Sequence, residues 1–130
     1  MEQEYYESLI QPWFAPPSEA FGIAWSILYP IIFVSFAYVF YLAYKQEIPT
    51  RVVVPFILNL VFNALFSPVQ FGLQNNFLAL IVILLVVITL IWAMKEIYSH
   101  KAFLMYVQIP YLLWVLFATI LQFSITYLNW

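Results

Sequence analysis

The hydrophobic positions of the chain form four long runs that are separated by short polar breaks. The runs cover about residues 20–44, 52–73, 77–99 and 102–128. Each run is long enough, at about 1.5 Å per residue, to cross a hydrocarbon core of about 30 Å as a helix. The alternation of polar and apolar residues that marks a membrane β-strand is not present. Because the breaks are short, consecutive helices must be antiparallel neighbours. The pattern predicts an all-α membrane protein, an antiparallel bundle of four transmembrane helices.

Composition supports a surface that faces lipid. Of the 130 residues, 66% are hydrophobic, 22% are aromatic and only 8% are charged, whereas a soluble domain is about half apolar and a quarter charged. The lipid bilayer is therefore the first expected partner. The absence of cysteine excludes disulfides and thiolate metal sites. A net charge of −2 gives no reason to expect a nucleic-acid partner.

The first 19 residues form a separate segment, which we call the arm, ahead of the bundle at 20–130. Pro12, Pro16 and Pro17 stiffen its backbone. Aromatic residues such as Trp13 and Phe14 favour a membrane–water interface. The arm is either a plain interfacial anchor or a lid over the mouth of the bundle, and residue type alone favours neither.

The charged residues predict an orientation. All four Lys and Arg residues lie at the first and third breaks (Lys45, Arg51, Lys95 and Lys101), whereas the arm carries Glu2, Glu4, Glu7 and Glu19. The positive-inside rule places loops 45–51 and 99–101 in the cytoplasm and both termini outside. We expect an integral protein of a bacterial or archaeal cell membrane.

Prolines lie within the hydrophobic runs, among them Pro30, Pro68 and Pro110. Each lacks a backbone N–H and is expected to bend its helix or to end it locally. Such bends separate helices and can open a cavity, or they only shape the packing.

The second run carries a stripe of polar side chains. Asn59, Asn63, Ser67, Gln70 and Gln74 are spaced by three or four residues and share one helix face. Amides facing lipid are costly, so this face should point into the bundle. The side chains either join helices by hydrogen bonds or orient a ligand in an apolar pocket.

The first and last runs place aromatic residues at helical spacing. Trp25 and Tyr29 are one turn apart, and Trp114, Ala118 and Gln122 follow each other at intervals of four. Such faces can wall a site for a flat conjugated ligand. The same spacing is also that of ordinary helix packing.

Charged residues are missing from the middle of every run. A proton-coupled exporter needs a buried carboxylate, so a small four-helix multidrug exporter is a remote alternative. General acid–base catalysis and a metal site are also not expected, because no base or ligand cluster is present.

Several blocks, in the same order, resemble the tryptophan-rich sensory protein / peripheral benzodiazepine receptor (translocator protein) family, TspO/MBR. Residues 12–17 (PWFAPP) resemble the family's P-x-W-x-P-P, and residues 21–29 (FGIAWSILY) resemble F-G-P-V-W-T-I-L-Y. Residues 63–72 (NALFSPVQFG) are similar to N-x-x-W-S-x-x-F-F-G, and residues 110–119 (PYLLWVLFAT) match P-Y-x-x-W-x-x-F-A-T.

The chain also departs from the family pattern. Phe66 and Gln70 stand where many members have Trp and Phe, and Gln122 replaces a common Asn. Family members have five spans, the first of which precedes the proline segment, so the resemblance implies a TspO-like fold minus its first helix. The arm would then be attached at one end only and should close less firmly.

The resemblance implies binding of porphyrins or haem as ligands within the bundle, with no cofactor required. The candidate ligand-binding residues are Trp25, Tyr29, Asn63, Phe66, Gln70, Trp114, Ala118 and Gln122, and the candidate lid residues are Trp13, Phe14, Pro16 and Pro17. The implied function is that of a membrane receptor or carrier. Some bacterial members are implicated in light-dependent porphyrin degradation, which makes Trp25 and Trp114 candidate catalytic residues for an enzyme. A structural subunit without a ligand is the remaining alternative.

The family also forms dimers, so a homodimer is expected. Ala64, Pro68 and Gly72 place compact residues four apart on the second run, which permits close approach of two helices.

Overall fold

The structure is a computed structural model that describes residues 8–69 and 73–129. Within these ranges the chain is helical and contains no strand. The helices are α1 (Ser18–Tyr44), α2 (Val53–Ser67), α3 (Asn76–Tyr98), α4 (Ala102–Val107) and α5 (Ile109–Leu128), and a 3-10 turn (Thr50–Val52) leads into α2. The predicted all-helical fold is confirmed. Glu2, Glu4, Glu7, Gln70 and Gly72, to which some of the predictions refer, lie outside the described residues.

Three helical segments are long and apolar enough to cross a membrane. They are Glu19–Tyr44, Asn76–Tyr98 and Ala102–Leu128, the last of which comprises α4 and α5. The fourth, Thr50–Phe66, is apolar but shorter. The α-helical part of this span ends at Ser67, and Pro68 and Val69 follow as a short π-helical turn. The prediction that the span continues to about residue 73 involves residues outside the described ranges.

The first connection reverses the chain through a helix-ending motif. Gln46 adopts a left-handed backbone conformation with φ of 62°. Its N–H donates to the carbonyl of Ala43 at 3.0 Å, and the N–H of Glu47 donates to that of Leu42 at 2.9 Å. This is the Schellman pattern, in which two otherwise unpaired carbonyls of the last turn are satisfied. The antiparallel turn from α1 toward α2 is thus closed by the backbone itself.

Helix α3 lies at the centre of the bundle, between α2 and α5. Buried apolar side chains from every helix meet there and form one core: Leu28, Ile32, Phe36, Val39 and Leu42 of α1, Phe56 of α2, Ile83, Val86, Val87, Leu90, Ala93, Met94 and Ile97 of α3, Leu104 of α4, and Tyr111 and Val115 of α5, with Ile48 and Val52 from the first connection. The rings of Phe36 and Phe56 meet edge to face with centroids 4.8 Å apart.

The last span is broken at Gln108, between α4 and α5. Pro110 is in the first turn of α5, where a missing N–H is tolerated. The expectation that Pro110 ends a helix locally is therefore confirmed, whereas α1 continues through Pro30. Gln108 is fully buried, and its Nε2 donates to Ser35 Oγ of α1 at 2.8 Å. The break is thus joined to the first helix by a buried hydrogen bond.

Candidate functional site

A cluster of six rings brings α1 and α5 together, and we call it the aromatic cluster. Its members are Phe21, Trp25 and Tyr29 of α1 and Tyr111, Trp114 and Phe117 of α5. Trp25 is at its centre, stacked on Tyr29 with ring centroids 5.0 Å apart. The Trp25 ring also meets Trp114 edge to face at 6.4 Å and an interplanar angle of 88°.

Helical spacing explains why these rings meet. Phe21, Trp25 and Tyr29 follow each other at intervals of four residues, which places them in line on one face of α1. On α5, Tyr111 and Trp114 are three residues apart. The predicted aromatic faces of the first and last spans therefore face each other, although the sequence did not show that they would be partners.

Trp114 carries a buried hydrogen-bond donor without a partner. Among the described residues, two buried side-chain atoms have no hydrogen-bond partner, Trp114 Nε1 and Gln108 Oε1. A buried donor that is left unpaired costs about 1–3 kcal/mol, so such groups are uncommon and call for an explanation. The indole N–H of Trp114 lies in the ring cluster and is available to an acceptor brought by another molecule.

Asn59 and Asn63 take part in a chain of hydrogen bonds that joins three helices. Asn63 Nδ2 donates to the hydroxyl of Tyr111 at 2.7 Å, and that hydroxyl donates to Asn59 Oδ1 at 2.9 Å. Asn59 Nδ2 in turn donates to the carbonyl of Val86 on α3 at 2.9 Å. Asn59 and Asn63, the first two members of the predicted polar stripe, thus join helices. Asn63 is only half-buried, and its hydrogen bond to Tyr111 places it next to the aromatic cluster.

Gln122 also joins helices. Its Nε2 donates to the carbonyl of Asn76 at 3.0 Å, and Thr126 Oγ1 donates to the same carbonyl at 3.1 Å. The two side chains attach α5 to the start of α3. Phe66 and Ala118, two other candidate ligand-binding residues, are half-buried and pack against the core. Gln70 lies outside the described residues.

The arm contacts the bundle through Phe14. Its ring lies 6.3 Å from that of Phe117, which is 5.7 Å from Trp114. Trp13, in contrast, is 95% exposed and does not cover the cluster, so this side chain suits an interfacial anchor. Pro16 is half-buried, and Pro17 is exposed immediately before α1.

The arm, which we expected to be held at one end only through its chain connection to α1, has a second, non-covalent attachment. Ile10 donates its backbone N–H to Asn129 Oδ1 at 3.0 Å, and Asn129 Nδ2 donates to the Ile10 carbonyl at 2.9 Å. The arm is thus attached to the end of α5 as well as to the start of α1. Sequence reasoning missed this because the contact joins residues 119 positions apart.

The opposite end of the bundle is polar and charged. Arg51 Nη1 lies 3.0 Å from Glu96 Oε2, and Lys45 Nζ lies 5.8 Å from the centre of the Tyr41 ring. Over the described part of the chain, no group of three or more His, Cys, Asp or Glu residues could hold a metal ion.

Three members of the aromatic cluster were not singled out as site residues from the sequence: Phe21, Tyr111 and Phe117. Phe21 could have been found, because it continues the four-residue spacing of Trp25 and Tyr29. Tyr111 could not, because its role depends on the two asparagines of α2.

Comparison with known proteins gives the same family over almost the whole chain. Residues 1–128 match the TspO/MBR family. The chain is 38% identical over 130 residues to the tryptophan-rich protein TspO of Archaeoglobus fulgidus, covering 98% of this chain and 81% of the relative. It is 36% identical to the uncharacterized membrane protein YtaB of Bacillus subtilis, with 99% and 83% covered. With the tryptophan-rich sensory protein of Cereibacter sphaeroides it shares 32% identity, with 98% and 78% covered. The chain therefore belongs to the TspO/MBR family.

Proposed function

We propose that the protein is a membrane receptor or carrier that binds porphyrins, or related flat hydrophobic ligands, within its helix bundle. The observation that carries the proposal is the aromatic cluster, in which Trp25 and Trp114 meet at right angles beside a buried, unpaired indole N–H. Flat conjugated rings stack on such side chains. Few polar groups are needed to orient a ligand in a site of this kind.

The unpaired N–H of Trp114 favours a ligand that carries a hydrogen-bond acceptor. A carboxylate or carbonyl at the edge of a flat ring system would satisfy this donor and recover the free energy that its burial costs. Asn63 is the second candidate polar contact, because it is half-buried next to the cluster. Porphyrins with acidic side chains combine the two requirements of a flat face and an acceptor at its edge.

The test of binding is a titration of the protein in lipid nanodiscs with protoporphyrin, followed by tryptophan fluorescence. We expect saturable quenching, and a Trp114→Ala variant should bind at least tenfold more weakly, because stacking and the indole donor are lost together. Trp92→Ala is the matched control, since Trp92 is on α3 and 40% exposed. Unsaturable quenching, or equal affinity in the two variants, would remove the proposal.

A light-dependent porphyrin-degrading enzyme is the second candidate. It is favoured by the contact of Trp25 with Trp114, because a porphyrin held against these indoles could react with them when excited, without an acid, base or metal from the protein. Illumination of the complex should then bleach the porphyrin absorbance, and Trp25→Phe should slow the loss relative to Trp92→Phe. Equal rates in the light and in the dark would exclude this activity.

A homodimer is also part of the proposal. Ala64 of α2 and Pro68, which directly follows α2, are both exposed, and compact residues there permit close approach of a second copy. Crosslinking in lipid that yields only monomer would exclude it.

A further inference from the structure

Asn129 makes a two-point contact with the arm. One amide group both accepts the N–H of Ile10, at 3.0 Å, and donates to its carbonyl, at 2.9 Å. The same Nδ2 donates to the Ile125 carbonyl at 2.9 Å, one turn back on α5. That third bond fixes the direction of the amide, so the side chain is held ready for Ile10. We call the pair of Ile10 bonds the clasp.

Next to the clasp, the arm rests on a small apolar surface of its own. Leu121 and Ile125 of α5 are buried there, and Leu9, Phe14, Ala15, Phe21 and Phe117 pack against them. This surface is separate from the main core. It adjoins the aromatic cluster, because Phe21 and Phe117 belong to both.

The clasp is suited to repeated opening. Both of its bonds lie in exposed surroundings, where water can replace either partner and the net gain of a hydrogen bond is small. The chain of bonds through Asn59, in contrast, is buried, and water could not replace its members. The arm can therefore lift from α5 while the helices below it stay in place.

We infer that Asn129 is a positioning residue that holds the arm closed over the aromatic cluster and thereby sets the rate at which ligand enters and leaves. This inference rests on the proposed porphyrin binding. Asn129 contacts Ile10 and α5, and none of these bonds involves a side chain of the aromatic cluster. It therefore acts on the barrier to exchange in both directions, and leaves the affinity of the site nearly unchanged.

The experiment measures association and dissociation of protoporphyrin by stopped-flow tryptophan fluorescence in nanodiscs. In Asn129→Ala both rate constants should rise by about tenfold, the effect expected for two exposed hydrogen bonds, while Kd stays within about twofold. Asn129→Asp keeps an acceptor for the Ile10 N–H but has no donor for the Ile10 carbonyl. Its two rate constants should therefore lie between those of the unchanged protein and those of Asn129→Ala. Asn75→Ala is the matched control, because it removes an exposed bond between an asparagine and the backbone, that with the Leu78 N–H, in which no residue of the arm takes part.

A purely structural role gives a different result. If Asn129 only stabilised the fold, Asn129→Ala would weaken binding without faster association, and this outcome would overturn the inference. Unchanged rates in Asn129→Ala would overturn it as well.

The protein has no cysteine, so an Ile10→Cys/Asn129→Cys pair offers the reverse test: oxidation should slow both rates and reduction should restore them. Equal rates in the oxidised and reduced forms would contradict the clasp.

Failure of the proposed function would be seen separately. Hydrogen exchange of the Ile10 amide needs no ligand, and it should be faster in Asn129→Ala than in the unchanged protein. If the unchanged protein shows no saturable quenching, porphyrin binding fails and the role in ligand exchange falls with it, even where Ile10 exchange reports a clasp. If protoporphyrin binds saturably but hydrogen exchange of the Ile10 amide is the same in Asn129→Ala as in the unchanged protein, the clasp is overturned and the proposed porphyrin binding stands.

Discussion

The hydroxyl of Tyr111 lies between the side-chain amides of two asparagines, and this decides how the polar stripe of α2 is used. It accepts from Asn63 and donates to Asn59, so three polar groups satisfy each other inside an apolar bundle. Tyr111 is fully buried, and its ring also meets Trp25 with centroids 6.3 Å apart. One side chain therefore links the helix-joining hydrogen bonds to the aromatic cluster.

Removal of this hydroxyl should destabilise the bundle. In Tyr111→Phe the ring contact with Trp25 remains, but Asn59 Oδ1 loses its buried donor and Asn63 loses its acceptor. We expect the free energy of unfolding to fall by about 1–2 kcal/mol, measured by titration with a denaturing detergent in micelles. Tyr127→Phe is the control, because Tyr127 is on the same helix and 76% exposed, and it should change stability by less than about 0.5 kcal/mol. Equal stability of both variants would mean that the hydrogen-bond chain contributes nothing.

At the scale of single residues, the sequence predicts which side chains share a helix face but not which groups they contact. The spacing of Asn59 and Asn63 placed both on one face of α2, and Trp25 and Tyr29 on one face of α1, and both placements agree with the contacts. Spacing along the chain does not show which group on another helix each side chain contacts. Tyr111 is 48 residues from Asn63, and Gln122 reaches a backbone carbonyl, that of Asn76, which has no signature in the sequence. Gln122 therefore looked like a ligand contact, although its amide joins two helices.

At the scale of elements, the length of each hydrophobic run accounts for most helix boundaries. The runs predicted at 20–44, 77–99 and 102–128 correspond to Ser18–Tyr44, Asn76–Tyr98 and Ala102–Leu128, because a helix pairs the backbone groups of a long apolar run with each other. The second run, predicted at 52–73, corresponds to α2 up to Ser67 and a short π-helical turn at Pro68 and Val69, and its predicted end lies next to residues that the structure does not describe. Apolar content thus predicts that a segment is buried or in lipid, whereas a proline alone does not fix where a helix stops, since α1 continues through Pro30.

The break between α4 and α5 provides a test of two substitutions that remove the same hydrogen bond. Ser35→Ala leaves the buried amide of Gln108 without its acceptor, and because Gln108 Oε1 already has no partner, the whole amide is then unsatisfied. Gln108→Leu removes the amide itself and leaves Ser35 Oγ bonded to the Ile31 carbonyl. Ser35→Ala should therefore cost about 1–3 kcal/mol of unfolding free energy, and Gln108→Leu should be nearly neutral. The detergent titration described for Tyr111 measures both, and a larger loss in Gln108→Leu would contradict this account.

At the scale of the whole molecule, the two ends of the bundle differ in chemistry. One end holds the arm, the clasp at Asn129 and the attachment of α5 to Asn76, so the described N-terminal and C-terminal segments meet there. The other end holds Lys45, the Arg51–Glu96 pair and Lys101. Because the clasp joins Ile10 to Asn129, both ends of the described chain must lie on the same side of any membrane that the bundle crosses.

The positive-inside rule predicts that the basic end of the bundle faces the cytoplasm. Labelling of single cysteines can test this orientation directly, because the protein contains no cysteine of its own. Trp13→Cys and Tyr127→Cys lie at exposed positions of the clasp end, 95% and 76% exposed, and should react with a membrane-impermeant maleimide in intact cells. Glu47→Cys and His100→Cys lie at exposed positions of the basic end and should react only after permeabilisation, since basic loops stay in the cytoplasm. The reverse labelling would show that four basic residues do not set the orientation. Labelling of Trp13→Cys and Tyr127→Cys from opposite sides would contradict the clasp itself, because two segments joined by hydrogen bonds cannot face different compartments.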